Sequence, residues 1–478
     1  MAQLDERAME RQLEALERAR SWSPRAVSKL EALLRAPDDS QLFRVNALRF
    51  ADARGMDEAE AIDLFLHATK AGLFTMEWQL ICPLCTDAVD TVGALGAVGT
   101  AYHCSLCRAD LETSLDDVIQ VTFTVSPALR RLRFHDPGTL TIEEYCFGYH
   151  FASRALTADG RTFAEAIRPF VALLGYVEPG ETARFETELH PGGLTGADRV
   201  SRAEIRLQVV AGAPSGPYRL RLEDGRFQHD GVLGTGQQTI EVENRLPGRA
   251  AVVAVNVGEE RRPPGATLGR FLSGKRLFVT QTFSDLFRSQ TVGRHGGLGL
   301  KDLTVLFTDL KGSTGLYERI GDLRAFQLVD QHFERLGEVV RGHRGAVVKT
   351  IGDAVMATFA SPAPALASAL EMLRSIEELN QSRGARDVIL KIGLHTGPSI
   401  AVTLNERLDY FGQTVNIAAR VQGVAEGDEI CATDAVMAAP GVGALVAGHE
   451  VAAQETQLRG IARTLRVHRI RGLRAPAG

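Results

Sequence analysis

Apolar positions over residues 4–75 recur at the helical period, and the stretch reads as several short helices. Breaks are expected near Trp22-Ser23-Pro24 and around Pro37, where Asp38, Asp39 and Ser40 can cap the next turn. The clearest helix begins at Asp57. That residue and Glu60 have capping-box spacing, Ile62, Phe65, Leu66, Thr69 and Leu73 share one face, and Gly72 is placed to end the element. A helix at about 41–54 meets it through Arg54-Gly55-Met56, a corner that matches helix-turn-helix and equally any small bundle.

From about 118 to 258 the period shortens. Runs such as VIQVTFTV, ARFETEL, EIRLQVV, YRLRLE and RAAVVAVNV alternate with turn clusters EPGE, HPGG and APSG, which predicts a central antiparallel β sandwich or barrel. ERRPPGA at 260–266 reads as a linker. Phe271, Leu272, Phe278, Val279, Phe283, Leu286 and Phe287 then give one helical stripe through about 288, and TVGRHGGLGLK reads as a flexible connector.

With 478 residues the chain exceeds one ordinary core, and the pattern divides accordingly into several domains. A formal net charge of −5 exerts no pull toward nucleic acid or anionic membrane. The opening MAQLDERAMERQLEALERAR lacks the apolar stretch of a signal peptide, and no run approaches the ~20 apolar residues that span a bilayer, so a cytoplasmic protein without a membrane partner is expected.

Six cysteines in so long a chain do not make a secreted disulfide scaffold. Four of them, Cys82-Pro-Leu-Cys85 and Cys104-Ser-Leu-Cys107, form C-x2-C-x18-C-x2-C, in which two tight knuckles can present four thiolates tetrahedrally to one structural zinc ion. A redox pair would need only one such motif.

Three pieces of the C-terminal part carry chemistry. Leu303–Phe307 suits a buried strand and leads to Thr308-Asp309-Leu310-Lys311-Gly312-Ser313-Thr314, so Asp309 sits at a strand end before a helix whose N–H groups suit phosphate. Alone, Asp309 could equally be a turn residue or a cap. Residues 346–359 read as two strands around a tight Ile351-Gly352 turn, which puts Asp353 at a hairpin tip. Two carboxylates at neighbouring strand ends can hold two magnesium or manganese ions. Leu408-Asp409-Tyr410-Phe411-Gly412 leads into a helix near Gln413, on which Asn416 and Arg420, four apart, share a face.

In this order the three pieces closely resemble the class III adenylyl/guanylyl cyclase catalytic domain, over roughly 300–435. The resemblance implies a ferredoxin-like α/β fold working as a homodimer, with Asp309 and Asp353 binding two metal ions on one subunit. Lys349 and Asp409 would recognise adenine, and Asn416 and Arg420 would position the ribose and stabilise the transition state, from the other subunit. Guanylyl enzymes of the family typically carry Glu and Cys at the base-reading positions, so Lys349 and Asp409 favour ATP. Ser313 stands where many relatives have an aromatic residue, and 397–402 lacks a second glycine often seen there; neither touches the six roles.

The expected division is therefore a helical, helix-turn-helix-like segment at 1–78, a zinc ribbon at 79–116, a β-rich domain at 117–260, a linker and connecting helix at 261–299, and the cyclase domain with a C-terminal extension at 300–478. The N-terminal region resembles that of certain bacterial cyclases and would regulate catalysis through an unknown ligand or protein. The alternative is a DNA-binding or nucleotide-sensing regulator whose cyclase-like domain is catalytically silent; the acidic balance disfavours a nucleic-acid partner.

Overall fold

The computed structural model describes residues 4–84, 86–104, 109–116, 118–150, 155–213, 217–229, 231–288, 297–404 and 407–473. Two compact units emerge: one built from residues 1–93, 101–113 and 118–272, the other from 94–100, 114–117 and 273–478.

The first unit opens with helices Glu6–Ala19, Ala26–Leu34, Ala47–Arg54 and Glu58–Lys70. Asp57 caps the last of these, its side chain accepting from the Ala59 and Glu60 amides. That helix is consumed by packing. Phe65 meets Phe50, Phe74 and Phe123 with ring centres 5.0–5.1 Å apart, while Glu60 holds the Ser23 amide and hydroxyl and Asp63 holds Arg20. The helix thus has its apolar side in the core and part of its acidic side in ion pairs, the packing of a small bundle.

Strand Phe74–Ile81 pairs antiparallel with Ala88–Val92 on one side and Ile119–Val125 on the other. It crosses the boundary expected at 78/79. A separate hairpin joins Ala101–Cys104 to Ala109–Glu112. The β-rich part is a sandwich of a five-stranded and a four-stranded sheet, whose inner faces share one apolar core. It is antiparallel except for two parallel pairs, Glu204–Val210 with Leu233–Gly234 and Tyr218–Glu223 with Gly236–Asn244. The linker ends in a strand, Ala266–Leu268, paired with Ala155–Thr157.

The second unit is built on a sheet in which Ala346–Ile351, Ala354–Phe359, Leu298–Leu310, Leu390–Leu404, Glu429–Thr433, Leu465–Leu473 and His449–Thr456 lie side by side in that order. Helices Asp322–Gly342 and Pro362–Arg383 close the larger core, their apolar stripes packing on Leu306, Phe359, Ile392 and Leu394. Two expectations need correction here. The stripe at 271–288 is two short helices, Gly274–Phe278 and Gln281–Leu286, because Thr280 adopts an extended conformation between them. The glycine-rich connector is partly strand: Leu298–Lys301 begins the central strand, and residues 289–296 lie outside the described residues.

Candidate active site

Asp309 lies one residue before the end of the central strand Leu298–Leu310. Its cross-strand neighbour is Lys391, whose ammonium stands 2.8 Å from the Asp309 carboxylate. Asp353 occupies the turn between Ala346–Ile351 and Ala354–Phe359, where Gly352 takes the left-handed φ of 63° that closes the hairpin without a side-chain clash. The hairpin is tied to the central strand next to the first carboxylate, since the Val355 amide donates to the Thr308 hydroxyl at 3.1 Å. Two carboxylates thus stand at adjoining strand ends.

Their surroundings fit divalent cations. Asp353 Oδ2 is buried and has no hydrogen-bond partner among the described residues, an expensive state for a carboxylate oxygen unless a cation completes it. Asp309 already holds a positive charge, that of Lys391. The helix Ser313–Ile320 starts beside them on Gly312 without a side-chain cap, leaving its first N–H groups for an anion.

Lys349 and Asp409 come together directly, Nζ to Oδ2 at 2.6 Å. Lys349 follows an irregularity in the hairpin register, and Asp409 sits opposite Val402 on the short strand Arg407–Phe411. The carboxylate is buried, and its other oxygen accepts from the Tyr410 amide at 2.8 Å. Tyr410 is fixed in turn: its hydroxyl donates to the Phe278 carbonyl at 3.2 Å. A donor and an acceptor are therefore presented side by side on a rigid backbone.

Asn416 and Arg420 project from the exposed side of helix Gln413–Gly423. Among the described residues neither side chain is hydrogen-bonded, so both remain available to a ligand. The helix is seated closely. A Cβ at Gly393 would lie 2.2 Å from the Gln422 amide nitrogen, and the Thr414 hydroxyl donates to the Pro398 carbonyl at 2.6 Å. Behind its C-terminal end, buried Glu429 accepts from Arg469 and Arg471, each at 2.7 Å, while Arg469 also donates to the Val424 carbonyl.

Sequence reasoning did not find Thr308, Lys391 or the Glu429 cluster. Each acts through a cross-strand register spanning from 40 to more than 80 residues, which no local pattern discloses.

Half of the cysteine quartet is described. Cys82 and Cys104 are buried, whereas Cys85 and Cys107 lie outside the described residues. After Cys82 the Thr86 amide donates to the Cys82 carbonyl and the Cys82 amide to the Asp87 carbonyl. Cys104 ends the first strand of the second hairpin, and Tyr102 ties that hairpin to the Ile81 carbonyl at 3.2 Å. Among the described residues no group of three or more His, Cys, Asp or Glu side chains forms a metal site. No described helix is long and apolar enough to cross a membrane.

Comparison with known proteins divides the chain in two. Residues 7–285 match the model of the family described as "Family of unknown function (DUF5939)", and residues 299–460 match "Adenylate and Guanylate cyclase catalytic domain". Adenylate cyclase 2 of Rhizobium meliloti (strain 1021) is 30% identical over 168 residues, covering 32% of this chain and 46% of that protein. An adenylate cyclase of Anabaena cylindrica is 27% identical over 187 residues, 36% of this chain and 37% of its own length. The chain thus spans less than half the length of these relatives. Among solved structures, the adenylyl cyclase CyaB from P. aeruginosa aligns with 21% identity and a TM-score of 0.33, over 37% of this chain and 97% of that one.

Proposed function

The chain belongs to the DUF5939 family, whose model covers more than half of it, and continues into a class III cyclase catalytic domain; on that footing we propose that it is an adenylate cyclase, forming 3′,5′-cyclic AMP and pyrophosphate from ATP. The observation that carries the reading is the Asp309–Asp353 pair, with one oxygen sealed from solvent and unsatisfied. A silent nucleotide-binding module would gain by relieving that atom, whereas a metal site needs it.

In the proposed reaction the ribose 3′-oxygen attacks the α-phosphorus, the bond to the pyrophosphate oxygen breaks, and the 3′-hydroxyl proton is released to solvent. Two magnesium or manganese ions, held by Asp309 and Asp353, would lower the pKa of that hydroxyl and neutralise the triphosphate. Lys349 donates to adenine N1 and Asp409 accepts from the 6-amino group, so their mutual ion pair opens when the base enters. Guanine presents the opposite pattern at both atoms. Arg420 offsets charge growing on the α-phosphoryl group, and Asn416 orients the ribose.

Catalysis is assigned to a homodimer, with Asp309 and Asp353 facing the other four residues of a second copy. Ile351 beside the hairpin tip and Phe411 beside Asp409 are large apolar side chains left exposed, which supports an interface there. Mixing Asp309→Ala with Arg420→Ala chains should restore roughly a quarter of wild-type activity, because half the dimers are mixed and each holds one intact site. The cysteine quartet is read as one structural zinc site, and the N-terminal family region as the regulatory part.

The deciding experiment incubates purified protein with ATP or GTP and magnesium or manganese and resolves the products. Cyclic AMP with pyrophosphate, formed in excess over cyclic GMP, is the expected result. Absence of any cyclic nucleotide under all four conditions would overturn the reading.

A further inference from the structure

In the DUF5939 unit, a cavity of about 160 Å³ lies against a seven-residue π-helical turn, Glu144–His150. Such turns are rare and recur at functional sites. Tyr145, His150, Asp87, Asp198, Arg199 and Arg202 line it. Six polar or charged side chains around so small a space is an unusual interior, since buried polar groups are ordinarily satisfied by protein.

The two carboxylates are already engaged. Asp198 accepts from the Val200, Ser201 and Ala251 amides and from the Ser201 hydroxyl, so it is spent on shaping the turn that carries the arginines. Asp87 accepts from Arg199 at 2.6 Å in an ion pair almost wholly removed from solvent. His150 differs. Its Nε2 is buried and has no hydrogen-bond partner among the described residues, while the ring is held edge-on by Tyr145 with ring centres 4.7 Å apart.

The field at His150 is positive. Burial first, and then the guanidinium charges of Arg199, Arg44 and Arg202, push the imidazolium down to about 2, so the ring is neutral and can donate one N–H. Arg202 reaches the mouth of the cavity from a left-handed backbone at φ 64°, and its side chain is 53% exposed, with only a loose 3.9 Å contact to Asp90. A strained non-glycine residue there is the kind of position that function, more than packing, retains. The two lining carboxylates are spent on other donors, which leaves the neutral His150 ring and the half-exposed Arg202 guanidinium to meet an anion.

We propose that this cavity binds a small oxyanion, a carboxylate or a phosphate, between the His150 Nε2–H and the Arg202 guanidinium. Its volume of about 160 Å³ corresponds to about five waters at the ~30 Å³ each occupies in the liquid, room for an anion of roughly five to eight heavy atoms. The enclosed space is too small to hold a whole nucleotide, and none of its lining residues is among those assigned to the cyclase reaction.

The test uses the full chain, purified and dialysed against chloride buffer. Acetate, succinate and inorganic phosphate are titrated separately at constant ionic strength, following binding heat and unfolding temperature. Acetate or succinate saturating would identify the carboxylate source; phosphate saturating would identify the inorganic one. Binding should weaken by about tenfold or more in Arg202→Ala and be abolished in His150→Leu, with partial retention in His150→Gln, whose amide can still donate. Should His150→Leu fail to fold, Arg202→Ala, altered at an exposed side chain, carries the comparison. The proposal is overturned if none of the three anions binds saturably beyond chloride, or if binding is the same in wild type and Arg202→Ala. Because the readout is binding, its failure would leave the cyclase reading untouched, and loss of cyclase activity would not bear on it.

Discussion

The two acidic residues assigned to metal should respond in opposite ways when their charge is removed without metal present. Asp353 Oδ2 is buried and unsatisfied, and an orphaned buried polar atom costs about 1–3 kcal/mol. Asp353→Asn removes the charge in nearly the same volume, so the metal-free protein should gain about 1 kcal/mol, or roughly 2–4 °C in the transition of a unit of this size. Asp309 has a partner instead, the Lys391 ammonium at 2.8 Å, with both side chains largely covered. Asp309→Asn should therefore lose about 1 kcal/mol in the same state. Scanning calorimetry of the full chain in chelator reads both shifts. Added manganese at about ten times its Kd should stabilise wild type by about 1.4 kcal/mol and neither variant to that extent. Both variants should lose at least about 100-fold in turnover. If Asp353→Asn lowers the metal-free unfolding temperature as Asp309→Asn does, or keeps the full manganese response, the reasoning from the unsatisfied oxygen is wrong.

Lys349→Glu with Asp409→Cys should depress ATP use more than GTP use; an unchanged ratio of the two rates removes the pair from base recognition. Glu429 is fully buried between Arg469 and half-exposed Arg471, so Glu429→Gln should cost about 3 kcal/mol, most of it from Arg469, and a loss below about 1 kcal/mol would refute a buried-pair role. His395 is held down to about 4, first by burial and then by the Arg463 charge. Its contribution is complete above its unfolded value near 6.5 and is lost as pH falls toward 4, with a slope approaching about 1.4 kcal/mol per pH unit; His395→Gln should flatten unfolding temperature against pH across that window. Metal analysis should find about one zinc per chain, and protein with none, holding a disulfide under reducing conditions, would refute the ribbon assignment.

The residues proposed for the site could be picked out in the sequence because each sits at a place that local chemistry marks. Asp309 ends an apolar run, Asp353 follows the glycine of a hairpin, and Asn416 and Arg420 lie one helical turn apart. Their supports were not legible. Lys391 meets Asp309, and Arg469 meets Glu429, only through strand register, which depends on the whole sheet. The stripe at 271–288 misled for a related reason: apolar residues at helical spacing are equally served by two short helices whose break lets Phe278 present its carbonyl to Tyr410. Nor could periodicity foresee the two parallel pairs in the sandwich, since alternation along a strand is blind to its neighbour's direction.

That carbonyl also bears on where the catalytic part can be cut free. The DUF5939 match runs to residue 285, and the cyclase match starts at 299, yet Ser273 onward folds with the catalytic sheet. Gln281 accepts from the Val347 amide on the edge strand, Phe278 holds Tyr410 beside Asp409, and Lys275 pairs with Asp116 at 2.8 Å. A fragment trimmed to the homology boundary would strip the sheet edge of a donor's partner and free the backbone beside Asp409. Portability of the cyclase domain thus hinges on roughly two dozen residues that sequence likeness credits to, or leaves just after, the other family.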